Sequence, residues 1–119
     1  MLDTTVVIDF FNRDERAKEW LLAHSSRHVY FSVITYAETL TGFPLEEWAK
    51  VKIFFEQFRL LPATPVTAEI AAHMRREHRL KLPDALQAAL AIEHQCMLVT
   101  RNTKDFNPSK QKFVSIPYQ

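Results

Sequence analysis

Short apolar runs alternate along this chain with longer stretches whose apolar residues recur every three or four positions. The runs read as strands: Met1–Asp3, His28–Ser32, Arg59–Ala63 closed by Pro62, Met97–Thr100, and Lys112–Ile116 ahead of Pro117. The stretches between them read as helices. Thr4–Phe11 carries apolar residues on more than one face, as a helix packed on a sheet would, with Asp3, Thr4 or Thr5 as its cap. Asp14–His24 sets Ala17, Trp20, Leu21 and His24 on one side. Val33–Leu40 is expected to turn Ile34, Ala37 and Thr41 inward and to stop at Gly42 as a C′ residue. Pro44 opens a helix with Glu46 and Glu47 in its first turn and a stripe of Leu45, Trp48, Val51, Phe55 and Phe58, widened by Ile53 and Phe54. That stripe suits core packing, with a subunit or partner contact as the alternative. Thr67 is expected to cap a helix through Arg79 with Ile70, Ala71 and Met74 inward. Alternation of this kind predicts an α/β fold: a mainly parallel central sheet of four or five short strands flanked by helices.

Composition narrows the setting. A chain of 119 residues is expected to form one domain over 1–119. One cysteine, Cys96, excludes an internal disulfide and suits a reducing compartment. No basic leader precedes an apolar run, and no apolar stretch approaches the ~20 residues of a membrane span, so the expectation is a cytoplasmic protein without a membrane role. Fifteen Lys and Arg nearly balance fourteen Asp and Glu, so any nucleic-acid surface must come from local clustering. A single glycine rules out a Gly-rich phosphate loop.

The chemistry gathers around Leu80–Ala91. Pro83 suits the first position of a helix, Asp84 falls in the first turn where the helix dipole favours negative charge, and Ala85, Ala88, Ala89 and Ala91 allow close packing. Alone, Asp84 reads as a helix-starting acid. Sites in open parallel sheets, however, form beyond the carboxyl ends of the strands. Asp3 follows the first strand, Glu38 lies in the helix after the second, and Asn102 and Asp105 follow Met97–Thr100. Four carboxylates converging on one rim repel one another unless cations neutralise them. All-oxygen ligands suit Mg²⁺ or Mn²⁺, and one or two such ions suit phosphodiester hydrolysis: one lowers the pKa of the attacking water, the other stabilises the leaving oxygen. Arg75, Arg76, Arg79 and Lys81 before Asp84, with Arg101 and Lys104 around the other acidic loop, are candidates to grip the phosphates of a phosphodiester substrate; a solvated helix face is the alternative. The five histidines lack zinc-ligand spacing, and Cys96 reads as a small core residue.

The segments Leu2–Asp9, Ser32–Glu38, Pro83–Ala91 and Val99–Phe106 resemble, in order and spacing, the four motif regions of PIN domains (PilT N-terminus-like), and most of all the VapC-like toxins. The resemblance spans nearly the whole chain. It implies a Mg²⁺- or Mn²⁺-dependent ribonuclease, commonly the toxin of a toxin–antitoxin pair, usually dimeric and inhibited by a cognate antitoxin. It also implies that Asp3, Glu38, Asp84 and Asp105 form the acidic quartet with Asn102 beside the metal. Thr4 or Thr5 is expected to orient Asp3, and Thr100 to do the same for the Asn102 loop. Fewer residues precede the first acid than is usual in the family, so Asp3 is expected to be loosely held. Two rivals stand beside this reading. One is a PIN-like module that binds nucleic acid or protein without cutting; the other is a flavodoxin-like or phosphotransfer domain built on Asp3 and Asp9.

Overall fold

Residues 1–119 are described by a computed structural model. Its chain order is α1 (Thr4–Phe11), α2 (Glu15–Ala23), β1 (Tyr30–Ser32), α3 (Val33–Thr41), α4 (Trp48–Glu56), β2 (Arg59–Leu61), α5 (Pro65–His78), α6 (Leu82–Glu93), β3 (Leu98–Val99) and β4 (Val114–Ser115). Two parallel pairs, β1 with β2 and β3 with β4, are joined through the first residues of the chain. Leu2 bridges in parallel to Val99, its N–H donates to the Tyr30 carbonyl at 2.7 Å, and Asp3 N–H donates to the Val99 carbonyl at 2.9 Å. The spatial order is therefore β2, β1, Leu2, β3, β4.

Successive residues of an extended segment point to opposite faces, and this divides the core in two. Met1 and Leu98 join Ala71, Met74 and the alanines of α6. Leu2 and Val99 join Val6, Val7, Phe31, Val51, Phe54 and Phe55. Ala85, Ala88, Ala89 and Ala91 are wholly buried, which is how α6 comes to lie close against its neighbours.

Several expectations change at element ends. The strands are shorter than the apolar runs: 26–28 form a 3₁₀ turn, and only Val114–Ser115 of the last run pairs. Leu45–Glu47, with Pro44 as its N-cap, makes a separate 3₁₀ turn ahead of α4. Leu82, with Pro83 second, begins α6. Thr64, and not Thr67, is the N-cap of α5, because Pro65 already has the φ of a first helical residue. Thr67 sits one turn in, where its hydroxyl accepts the Thr64 N–H at 2.9 Å and donates to Glu93. Gly42 ends α3 with φ −78°, so no left-handed cap forms there.

The inward face of α3 is Thr35 and Thr39, with Ala37 and Thr41 exposed and Ile34 only partly covered. Hydroxyls can be buried here because carbonyls accept from them: Thr35 donates to Leu2 O at 3.0 Å and Thr39 to Thr35 O at 2.7 Å. In the wide stripe, Val51, Phe54 and Phe55 fill the core, whereas Leu45 and Ile53 stay 71% and 64% exposed.

Candidate active site

The carboxyl-end rim of the sheet carries all four predicted acids. Asp3 leaves the central bridge, α3 carries Glu38 one turn and a half beyond β1, α6 presents Asp84 in its first turn, and the loop after β3 holds Asp105. Their proximity shows in Asp84. Burial, followed by the negative charges of Asp3, Asp105 and Glu38, pushes its carboxyl up from 3.8 to about 6, against a smaller opposing pull from Lys81. As the side chains stand, no three of the acids converge on one point, so water would have to complete the contact of some of them with an ion.

Neutral groups hold this rim. The Asp3 carboxylate accepts from Thr100 Oγ1 at 2.7 Å, Thr5 Oγ1 at 3.1 Å and Gln87 Nε2 at 3.3 Å. Thr100 also accepts the Asn102 N–H at 2.9 Å, the task expected of it, while its bond to Asp3 does what was expected of Thr4 or Thr5. The Thr4 hydroxyl is not bonded to Asp3; it donates to Glu38 Oε1 at 2.6 Å, because α1 turns this side chain toward α3. Asn102 Nδ2 donates to Asp105 Oδ2 at 3.0 Å while Asn102 Oδ1 accepts the Asp105 N–H at 3.2 Å, a local turn that fixes both side chains. Asp3 is 5% exposed and is not loosely held, since two backbone bonds and three side-chain donors fix it. None of the four acids has a Lys or Arg ion partner. The donors are all oxygen and mostly carboxylate, a set that fits a hard divalent cation.

The six basic candidates divide. Arg101 turns away from the rim: its guanidinium pairs with both oxygens of Asp9, which also accepts the Tyr118 hydroxyl at 2.8 Å. This separates Asp9 from Asp3 and removes the phosphotransfer rival built on the two together. Arg75 Nε donates to Leu80 O at 3.2 Å and braces the turn after α5. In that turn Arg79 takes a left-handed conformation, φ 55°. Arg79 and Lys104 line a polar cleft of about 430 Å³ that has Asp105 in its wall and no apolar residue. Lys81 lies near enough to Asp84 to lower its pKa, and Arg76 is exposed on α5.

Some members of this site carry no sequence signal. His78 and Lys110 also line the cleft. Gln87, buried among alanines, reaches Asp3, Thr35 and Ser32, three residues distant in sequence. An amide on an apolar helix face was the one available hint, since a buried polar group needs partners.

Residues 1–107 match the family model described as PIN domain. A curated relative, "Ribonuclease VapC10" of Mycobacterium tuberculosis, is 33% identical over 112 residues, covering 89% of this chain and 84% of the relative. Among solved structures, a chain of a toxin–antitoxin complex from Klebsiella pneumoniae superposes with a TM-score of 0.87 at 31% identity, covering 99% of this chain and 97% of that one. FitAcB from Neisseria gonorrhoeae superposes with a TM-score of 0.75 at 25% identity, covering 98% and 96%.

Proposed function

Because the chain belongs to the PIN domain family, we propose that it is a metal-dependent endoribonuclease of the VapC type, the toxin of a toxin–antitoxin pair. The observation that carries this reading is the rim itself: four acids together, each without a cationic partner, one of them with its pKa raised to about 6 by its neighbours. Asp3, Glu38 and Asp84 would hold Mg²⁺ or Mn²⁺, directly or through water, and Asp105, oriented by Asn102, would complete the shell or hold a second ion. Bound there, the cation supplies Lewis acidity for the phosphate and a lowered pKa for water. Thr5 and Thr100 keep Asp3 aimed, and Thr4 does the same for Glu38.

The polyanionic substrate needs cations near the acids but not on them. Lys81 beside Asp84, and Arg79, Lys104, Lys110 and His78 around the cleft that Asp105 walls, meet that need. With a polar lining that holds no apolar residue, the cleft suits the sugar-phosphate strand. A cognate antitoxin and a second copy of the chain are the proposed protein partners, for which exposed Leu22, Leu45 and Ile53 offer apolar contact. The free Cys96 agrees with the cytoplasm. Residues 1–119 are read as one unit, since Tyr118 is bonded back to α1. No helix is long and apolar enough to cross a membrane.

Asp84→Asn is expected to lower Mn²⁺-dependent RNA cleavage at least ~1000-fold while the circular dichroism spectrum is unchanged; cleavage within tenfold of wild type would defeat the assignment. Calorimetry with Mn²⁺ separates this reading from a module that binds without cutting, which predicts a silent titration. Reversing charge at Lys104 and Lys110 in the Asp84→Asn background should weaken RNA binding about tenfold and reduce the log–log salt slope by about 2. An unaltered slope would remove the cleft from the substrate path.

A further inference from the structure

Gln87 is 1% exposed, lies one helical turn after Asp84, and links four elements. Its Nε2 donates to Thr35 Oγ1 at 2.6 Å and to Asp3 Oδ1 at 3.3 Å, and its Oε1 accepts from Ser32 Oγ. The orientation of this amide is dictated by its surroundings. Thr35 donates its own hydroxyl hydrogen to Leu2 O, so toward Gln87 it can only accept. Ser32 Oγ already accepts the Thr35 N–H at 3.2 Å as the N-cap of α3, so its hydrogen is free for the Gln87 carbonyl. With oxygen on Ser32 and nitrogen on Thr35, the second N–H of Gln87 has Asp3 before it.

We propose that Gln87 is a positioning residue for the cation site: through this one-way relay it fixes Asp3 relative to Asp84 while leaving the Asp3 charge undiminished for a divalent ion. An arginine or lysine at the same place would fix Asp3 equally well and compete with the cation for its charge. The neutral amide orients without competing, and because α6 carries both Asp84 and Gln87, the distance between two acids on different elements is held by a single rigid helix. The inference rests on the assignment of Asp3 and Asp84 to a metal site.

The test is Mn²⁺ titration of the full chain by calorimetry, with a melting curve in EDTA for each variant. Asp3→Asn is expected to abolish binding; wild-type affinity in that variant would overturn the metal assignment itself. Given that loss, Gln87→Leu, which keeps the volume and removes the donors, should bind Mn²⁺ about 10- to 100-fold more weakly. Its cleavage rate should return toward the wild-type value as Mn²⁺ is raised by the same factor, which a general packing defect would not permit. A folded Gln87→Leu protein binding within twofold of wild type overturns the proposal. Should Gln87→Leu fail to fold, Ser32→Ala, which frees the amide to rotate, carries the test: a three- to tenfold weaker Kd supports the relay and an unchanged Kd refutes it.

Discussion

Asp3 and Asp9 stand at the two ends of one short helix, 5% and 8% exposed, and they live by opposite rules. Asp9 receives a bidentate arginine and a phenol; Asp3 receives two hydroxyls and an amide. Around Asp9 the charges are matched. The Tyr118 ring lies 4.8 Å from the Arg16 guanidinium and 5.9 Å from that of Arg101, and burial together with Asp9 raises its pKa, so that its hydroxyl remains a donor. Around Asp3 the charge has been oriented and left unmatched. A buried carboxylate with its own cation is structure; one held only by dipoles is capacity to bind. Burial alone does not separate the two, and neither does position at a strand or helix end.

The comparison can be broken from either side. Supplying Asp3 with a cation comes first, because the expected effect is largest. Thr5→Lys brings an ammonium within reach of a carboxylate that a hydroxyl now contacts at 3.1 Å, and Mn²⁺ affinity should fall about 100-fold, measured by calorimetry. Affinity within threefold of wild type would mean that Asp3's charge is not what the ion needs.

Removing the cation from Asp9 should act on stability and spare the rim. Arg101→Ala is expected to cost about 2 kcal/mol in urea unfolding, below the cost of breaking a fully buried pair, because the guanidinium is 37% exposed. Mn²⁺ affinity should stay within threefold. A large loss of affinity with stability intact would reverse the roles assigned to the two ends of α1.

Asp84 gives the smallest and most specific effect. Its folded pKa, about 6, lies above its ordinary 3.8, so the folded state holds the proton more tightly than the unfolded chain does. That contribution favours folding below about pH 4 and is lost as the pH rises through 6. In EDTA at pH 7, Asp84→Asn should therefore be the more stable protein, by about 1 kcal/mol once screening of a half-buried group is allowed for. In the wild type, Mn²⁺ binding should weaken as the pH falls below 6. Equal unfolding free energies of the two proteins from pH 4 to 7 would contradict the crowding of charge on which the site depends.

Much of this was legible in the residues. The alternation of short apolar runs with helical periodicity led to the parallel sheet, and strand ends led to the rim. Pro83, Asp84 and the alanines behind them marked α6 because each acts locally. What escaped notice depends on partners far along the chain. Thr35 and Thr39 face inward because backbone carbonyls accept their hydroxyls, and an apolar count scores them as surface. Arg101 resembled a phosphate contact until Asp9, at the far end of α1, claimed it. Gln87 has no pattern of its own; its meaning lies in Ser32, Thr35 and Asp3. Thr67 has the look of a cap because a threonine before an apolar stretch usually is one, and Pro65 sets the boundary further upstream.

The Leu2–Val99 bridge has a consequence for synthesis. The middle of the sheet joins Leu2 to Val99, segments far apart along the chain, so a long loop must close before it is complete. Until Thr100 and Asp105 have been synthesised and that loop has closed, Asp3 lacks a hydroxyl donor and a neighbouring acid. The acidic rim is thus completed only once segments far apart along the chain have met.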